Sequence, residues 1–209
     1  MKKLILFVFA FAVTMTASAQ ITWNVKVGGG WAMCTGDING DMKGKFVGKI
    51  GVGIEKPLTH NFSLMPSLEV ALKGTKCSNE GSYYDDYYEN YYTYSVDENL
   101  SPLYIQIPVL GAYRFNLSDD WNLTLKAGPY FAYGISGKYE NSYYNDDFDI
   151  FSDGDAKRFD AGVDVGVDFE YHRFVFGLEY ERGFVSFAAS DSDASIYNQA
   201  VYVTAGYKF

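Results

Sequence analysis

Fourteen charged side chains alternate with apolar residues along the chain: Lys26, Lys49, Lys73, Arg114, Lys126 and Lys208, with Glu55, Glu69, Asp160, Asp164, Asp168, Glu170, Glu179 and Glu181. Successive side chains of an extended segment point to opposite faces, so each charge lies on a polar face that backs an apolar one. Enclosed without water, six bases and eight acids must pair, because a lone buried charge is heavily penalised. Strung along a wet passage, the same groups could carry protons or ions. A second set is of another kind. Tyr83, Tyr84, Tyr87, Tyr88, Tyr91 and Tyr92 crowd the stretch SYYDDYYENYYTYS, and Tyr143, Tyr144, Asp146 and Asp147 lie in YENSYYNDDFDIFSDGD. Tyrosine offers a large, stiff, amphipathic contact surface at low entropic cost, as in binding loops. Tyrosines mixed with acids could therefore contact a protein, a glycan or a cation, or simply alternate across the strands of a hairpin.

Other combinations are weaker. Asp37-Ile38-Asn39-Gly40-Asp41 sets oxygens at alternate positions, as a calcium loop does, but Met42 stands where glycine is needed and Gly48 where the twelfth ligand belongs. Asp146, Asp147, Asp149, Asp153 and Asp155 form a looser acid cluster, which is ordinarily just solvated. No metal site and no cofactor are expected. Cys34 and Cys77 are the only cysteines, and a disulfide between them depends on a Cα separation that sequence does not give. His60 and His172 are the only histidines, and neither neighbours a serine or acid cluster. No G-x-S-x-G motif occurs, so an enzyme is not expected.

The elements that position these groups follow from the remaining pattern. Residues 1–19, MKKLILFVFAFAVTMTASA, combine a basic start, a short apolar run and small residues before Gln20. They read as a secretory signal peptide cleaved after Ala19, which leaves residues 20–209 as one domain. The formal charge of −9 argues against nucleic acid as a partner. Beyond residue 20 the dominant signal is period two. Apolar residues alternate with polar ones over 21–28, 46–55, 62–73, 103–115, 122–133, 159–170, 174–181 and 201–209. These runs are longer than the strands of a typical sandwich. Their connections alternate short and long, with the brief ones near 57–61, 116–120 and 172–173 and the long ones near 35–44, 74–101, 137–157 and 188–198. Short turns at one end and long loops at the other mark an antiparallel barrel in an outer membrane. Backbone groups in hydrocarbon must all be paired, so such a sheet closes on itself. Trp23, Trp31, Phe62, Phe115, Trp121, Tyr171, Phe174 and Phe209 fit the aromatic girdles of its two rims.

Two motifs carry a family resemblance. The chain ends V-Y-V-T-A-G-Y-K-F, which resembles the C-terminal signature of bacterial outer-membrane proteins, and residues 101–115, S-P-L-Y-I-Q-I-P-V-L-G-A-Y-R-F, resemble a strand of the PorT-like porin-family barrels of Bacteroidota. The resemblance implies an all-β, eight-stranded antiparallel up-and-down transmembrane barrel in the style of OmpA and OmpX. It also implies location in the bacterial outer membrane, contact with its lipid and lipopolysaccharide, and recognition by the barrel-assembly machinery.

Eight strands enclose an interior that side chains just fill. The charges would then form a paired lumen network, with Lys26, Lys49, Glu69, Arg114, Lys126, Asp160, Asp164, Asp168, Glu179 and Glu181 at its centre. The tyrosine-rich loops would face outward towards an unidentified extracellular ligand. The expected function is surface binding or envelope structure with a plugged lumen; the alternative is a small porin-like channel.

Overall fold

The computed structural model describes residues 21–36, 41–85, 90–141, 146–151, 156–188 and 195–209. Eleven strands form one antiparallel sheet: β1 (Thr22–Gly36), β2 (Asp41–Lys43), β3 (Lys45–Pro57), β4 (Phe62–Leu72), β5 (Thr75–Asp85), β6 (Asn90–Asn116), β7 (Trp121–Asn141), β8 (Asp146–Asp149), β9 (Phe159–Tyr171), β10 (Phe174–Gly183) and β11 (Ile196–Lys208). Eight of them make the wall, in the cyclic order β1-β3-β4-β6-β7-β9-β10-β11, closed by the β1–β11 and β6–β7 pairings. Each wall strand contains one of the eight alternating runs. The fold is the expected closed eight-stranded antiparallel barrel.

The wall is apolar outside and ionic inside. Val165 is 42% exposed and Val203 62% exposed, whereas Asp164 and Glu179 have no exposed surface. Valines 163 and 165 face outward and are not sandwiched between sheets. This inversion of a water-soluble protein suits a wall bathed in acyl chains, with its polar face enclosed. Aromatic side chains collect at both rims. Trp121 stacks on Tyr171, and Tyr207 touches Phe174 and Phe209 at one end; Trp31 meets Phe46 edge-on at the other.

Three short turns share the first of these ends. In two of them a hydroxyl caps the turn, with Thr59 accepting from Phe62 N and Ser118 from Trp121 N. The third, His172-Arg173, places His172 at φ 52°. Both histidines thus lie in turns, at the end away from the long loops.

Three interruptions of the ladder fall on prolines. No pairing is made by Pro66 towards β3, by Pro108 towards β4 or by Pro129 towards β6. A proline has no N–H to donate, so it suits these gaps.

Beyond the opposite rim the strands continue. β5 pairs with β6 from Thr75↔Leu100 to Asp85↔Asn90, above the last β6–β7 pair, Glu98↔Asn141. Much of the expected loop 74–101 is therefore a hairpin arm that runs eight residues past that pair, roughly 27 Å along the strand at about 3.4 Å per residue. Within it Tyr83 pairs with Tyr92 and Tyr84 with Tyr91. The second long connection starts the same way, with Glu140↔Asp147 and Asn141↔Asp146 between β7 and β8. Tyr87, Tyr88, Tyr143 and Tyr144, the calcium-like run 37–40 and the signal segment lie outside the described residues.

Candidate functional site

The lumen is organised in tiers, each built from side chains that strand alternation turns inward. In the tier nearest the short turns, Glu55 accepts from Arg114 Nη2 (2.6 Å), Lys208 Nζ (2.8 Å) and Ser63 Oγ (2.9 Å). Glu170 accepts from Thr124 Oγ1 at 2.8 Å and pairs with Lys208 at 2.7 Å.

The central tier holds the densest charge. Lys126 Nζ reaches Asp168 at 2.7 Å and Glu179 at 2.6 Å. Lys26 pairs with Glu69 at 2.6 Å and Glu179 at 3.2 Å. Lys49 is fully buried among Glu69 (3.5 Å), Glu181 (3.0 Å) and Glu179, with which it makes its tightest contact. Gln106 donates to both Glu69 and Glu181. Asp164, Glu179 and Glu181 bring oxygens within 4.8 Å of one another. The ammonium groups of Lys26, Lys49, Lys73 and Lys126 already serve the two glutamates, so this cluster is a node of the ion-pair network. Asp164 is the exception, since neither of its buried oxygens receives a hydrogen bond among the described residues.

The third tier mixes charge with rings. Lys73 Nζ lies 3.1 Å from Glu181 and 3.6 Å from Asp160, and 4.1 Å from the centre of the Tyr130 ring. Lys49 stands over the Tyr202 ring at 4.5 Å. Asp160 accepts from Tyr130 (3.2 Å) and Asn198 (3.1 Å). Aromatic faces carry negative potential, so buried tyrosines help hold these desolvated ammonium groups.

A cap lies above. Ile150 and Phe151 turn inward from the β8–β9 connection and pack on Tyr104, Tyr130 and Ala132. Glycine is required beneath them, because a Cβ on Gly134 would strike the Phe151 ring and one on Gly137 would strike Ile150. Arg158 fastens the cap by donating to Gly134 O (3.1 Å) and Phe151 O (2.8 Å), and its guanidinium stands over the Phe151 ring. Two charge-assisted bonds of about 1.5 kcal/mol or more are at stake here. Arg158→Ala is therefore expected to raise protease cleavage between residues 150 and 158 by roughly tenfold or more, with the barrel still folded. Proteinase K digestion of the refolded protein, followed by mass spectrometry of the fragments, reads this directly.

The inward residues anticipated from sequence are thus brought together. Two groups were missed. Tyr104, Tyr130, Tyr202 and Asn198 have lumen parity but carry no formal charge to draw attention. Ile150 and Phe151 sit in an acid-rich stretch whose inward turn no periodicity signals.

The Cys34–Cys77 disulfide, which the sequence leaves open, is not formed. Cys34 is drawn into the lumen, where its Sγ lies 3.8 Å from Asn198 Oδ1. Cys77 sits on the hairpin arm, opposite Met42 and Glu98.

On the rim, Lys45 Nζ donates to Asn99 Oδ1 (2.7 Å), and Asn99 donates to Glu140 (2.8 Å). Hydrogen bonds from Lys138 and Asn99 hold the Glu140 carboxyl below the usual carboxylate range.

Three solved structures are among those this chain is similar to. Ail, the attachment invasion locus protein of Yersinia pestis, solved in complex with the heparin analogue sucrose octasulfate, is 12% identical over 90% of this chain and 99% of its own, with a TM-score of 0.43. Neisserial surface protein A is 10% identical over 90% and 97%, with a TM-score of 0.48. The N-terminal barrel domain of Pseudomonas aeruginosa OprF is 13% identical over 89% and 97%, with a TM-score of 0.36. Similarity this distant carries no functional argument. No curated protein matches the sequence. The profile of one family does, across residues 11–189, and with it the chain belongs to the outer membrane protein beta-barrel domain family.

Proposed function

We propose that this barrel is a non-conducting surface-binding or envelope-structural protein that acts through its external hairpins. One observation carries the reading: the lumen is filled by interlocked ion pairs from Glu55 to Asp160 and is roofed by Ile150 and Phe151. With the lumen so occupied, the parts that would meet a partner are the external extensions. There the β5–β6 arm sets tyrosines directly opposite one another. Tyrosine-rich, acid-flanked strands suit a protein or glycan surface. The lipid-facing wall anchors the arm, and the terminal strand ending at Phe209 serves as the signal read by the assembly machinery.

The channel reading has one feature in its favour. A cavity of about 40 Å³, lined by Lys26, Lys126, Asp168 and Thr204 inside and bounded by Pro66 and Leu110, lies in the half of the lumen nearer the short turns. That space is room for a few water molecules, at roughly 10–15 Å³ of cavity volume each, and Lys26, Lys126 and Asp168 of the central ion pairs border it.

Two measurements test the proposal. Purified barrel in a planar bilayer is expected to show no unit conductance; steady single-channel steps would establish the porin-like alternative. Cells displaying a barrel with residues 79–96 replaced by a two-residue turn are expected to lose adhesion to immobilised extracellular matrix and glycan arrays. Adhesion equal to that of the intact protein would remove the arm from the binding role.

A further inference from the structure

We propose that Asp164, Glu179 and Glu181 form a buried binding site for one divalent cation of the hard, oxygen-preferring class. The inference concerns the interior of the barrel and does not depend on the role assigned to the external hairpins.

Asp164 is the group that the ion-pair network leaves out. It has no exposed surface, and neither of its oxygens receives a hydrogen bond among the described residues. No ammonium or guanidinium group of those residues comes within 4.0 Å of it. Its flanks explain why. Its cross-strand partner on β7 is Gly128, and the inward positions before and after it on β9 are Gly162 and Gly166. Three of its neighbours on the inner face therefore have no side chain with which to donate. The fourth is another acid, Glu181, directly opposite on β10. Like charges so placed on a sheet are destabilising, and a buried carboxylate without a partner is heavily penalised. Glu181 contributes a further bare atom, since its buried Oε2 receives no hydrogen bond although Lys73 Nζ lies 3.1 Å away.

The distribution of charge locates the missing cation. The tier nearest the short turns is neutral, with Glu55 and Glu170 set against Arg114 and Lys208. The surplus of two acids therefore falls on the tiers above, where Lys26, Lys49, Lys73 and Lys126 are all engaged by carboxylates other than Asp164. One doubly charged ion matches that surplus. Geometry agrees with it. Oxygens of the three carboxylates lie within 4.8 Å of one another. Oxygens held roughly 2.4 Å from a calcium ion stand at most about 5 Å apart, so one ion can touch all three side chains. The cluster is made of oxygen alone, which suits calcium or magnesium and disfavours metals that prefer nitrogen or sulfur. An ion at this point would also screen Asp164 from Glu181 and so tie β9 to β10.

Calcium chloride is the probe. The barrel, refolded in vesicles after treatment with EDTA, is expected to unfold at a higher urea concentration in millimolar calcium than in EDTA, because an ion held only by the folded state stabilises it. Native mass spectrometry should find one calcium ion per chain. Asp164→Asn loses no hydrogen bond, so it should keep the heat-modifiable mobility of a folded barrel on gels while its calcium affinity falls roughly tenfold or more. In EDTA it should unfold no earlier than the intact protein. Asp164→Ser, smaller and equally neutral, carries the same expectation. Calcium retained as well by both variants would place the ion on the external acids and overturn the site. An intact barrel whose unfolding ignores calcium, or which carries none, would overturn it too.

Discussion

Lys49→Met is expected to destabilise the folded barrel by about 3–5 kcal/mol, the usual cost of removing one partner from a buried ion pair. Lys49 is fully buried and serves three carboxylates at once: Glu69, Glu179 and Glu181. Its methionine replacement keeps the length and the packing on Tyr202 but leaves the central tier one cation short. The lumen already holds two more acids than bases, so no neighbouring charge can make up the loss. Glu181→Gln in the same chain should recover a measurable part of the stability, which a double-mutant cycle in urea isolates. Asp164→Asn offers the contrast. Its carboxylate receives no hydrogen bond among the described residues and adds to the acid surplus, so in EDTA its removal should leave stability unchanged or raise it. Urea unfolding of refolded protein in lipid vesicles measures all five proteins, the wild type and both single variants of the cycle among them, on one scale. A silent Lys49→Met would mean that water screens the central tier, and a wet lumen would reopen the case for conduction.

Val203→Arg is expected to cost about 2–4 kcal/mol in vesicles, the range for a cation placed on the lipid face of a barrel near the bilayer midplane. Val203 is 62% exposed, midway along β11, between Gly29 of β1 and Leu178 of β10. In a water-soluble protein such an exposed position would tolerate arginine to within about 0.5 kcal/mol. The exchange therefore tests the inverted wall directly. Arginine in place of Phe209, at the rim, should cost far less, because the penalty falls towards the interfaces. If arginine at Val203 proved as harmless as at Phe209, the oily face would not be in hydrocarbon. Comparing urea midpoints and slopes for the two variants separates a true loss of stability from a change in the unfolded state.

Much of the molecule could be read from periodicity alone, for a definite reason. A lipid-facing wall imposes one rule on every spanning residue, so Val163, Val165 and Val167 alternate with Asp164, Gly166 and Asp168 without exception. The same parity put Lys49 and Glu179 on a common inner face before their contact was visible. Parity cannot give height, however. Lys49 meets Glu69, Glu179 and Glu181, and not Glu55 or Glu170, because of the stagger between neighbouring strands, and sequence does not state that register. Above the rim the rule lapses. Strand pairing there answers to cross-strand contacts, so the sequence leaves a binding loop and a paired hairpin both open between Thr75 and Leu100, where the structure has the hairpin. Phe151 is placed by contacts with Tyr104 and Arg158, distant in sequence and unrelated by any period.

The seam between the first and last wall strands has a consequence for biogenesis. Asn24 pairs with Lys208, Gly36 with Ile196, and Phe209 N donates to Trp23 O. Until β11 is in place, β1 has no neighbour on that side, and a bare edge in hydrocarbon would strand its polar backbone. Insertion one strand at a time, in the manner of helical proteins, is therefore closed to this chain. Loss of the β11 pairings would bare the backbone of β1 along the whole seam, so the two strands have to be joined before either can rest in hydrocarbon.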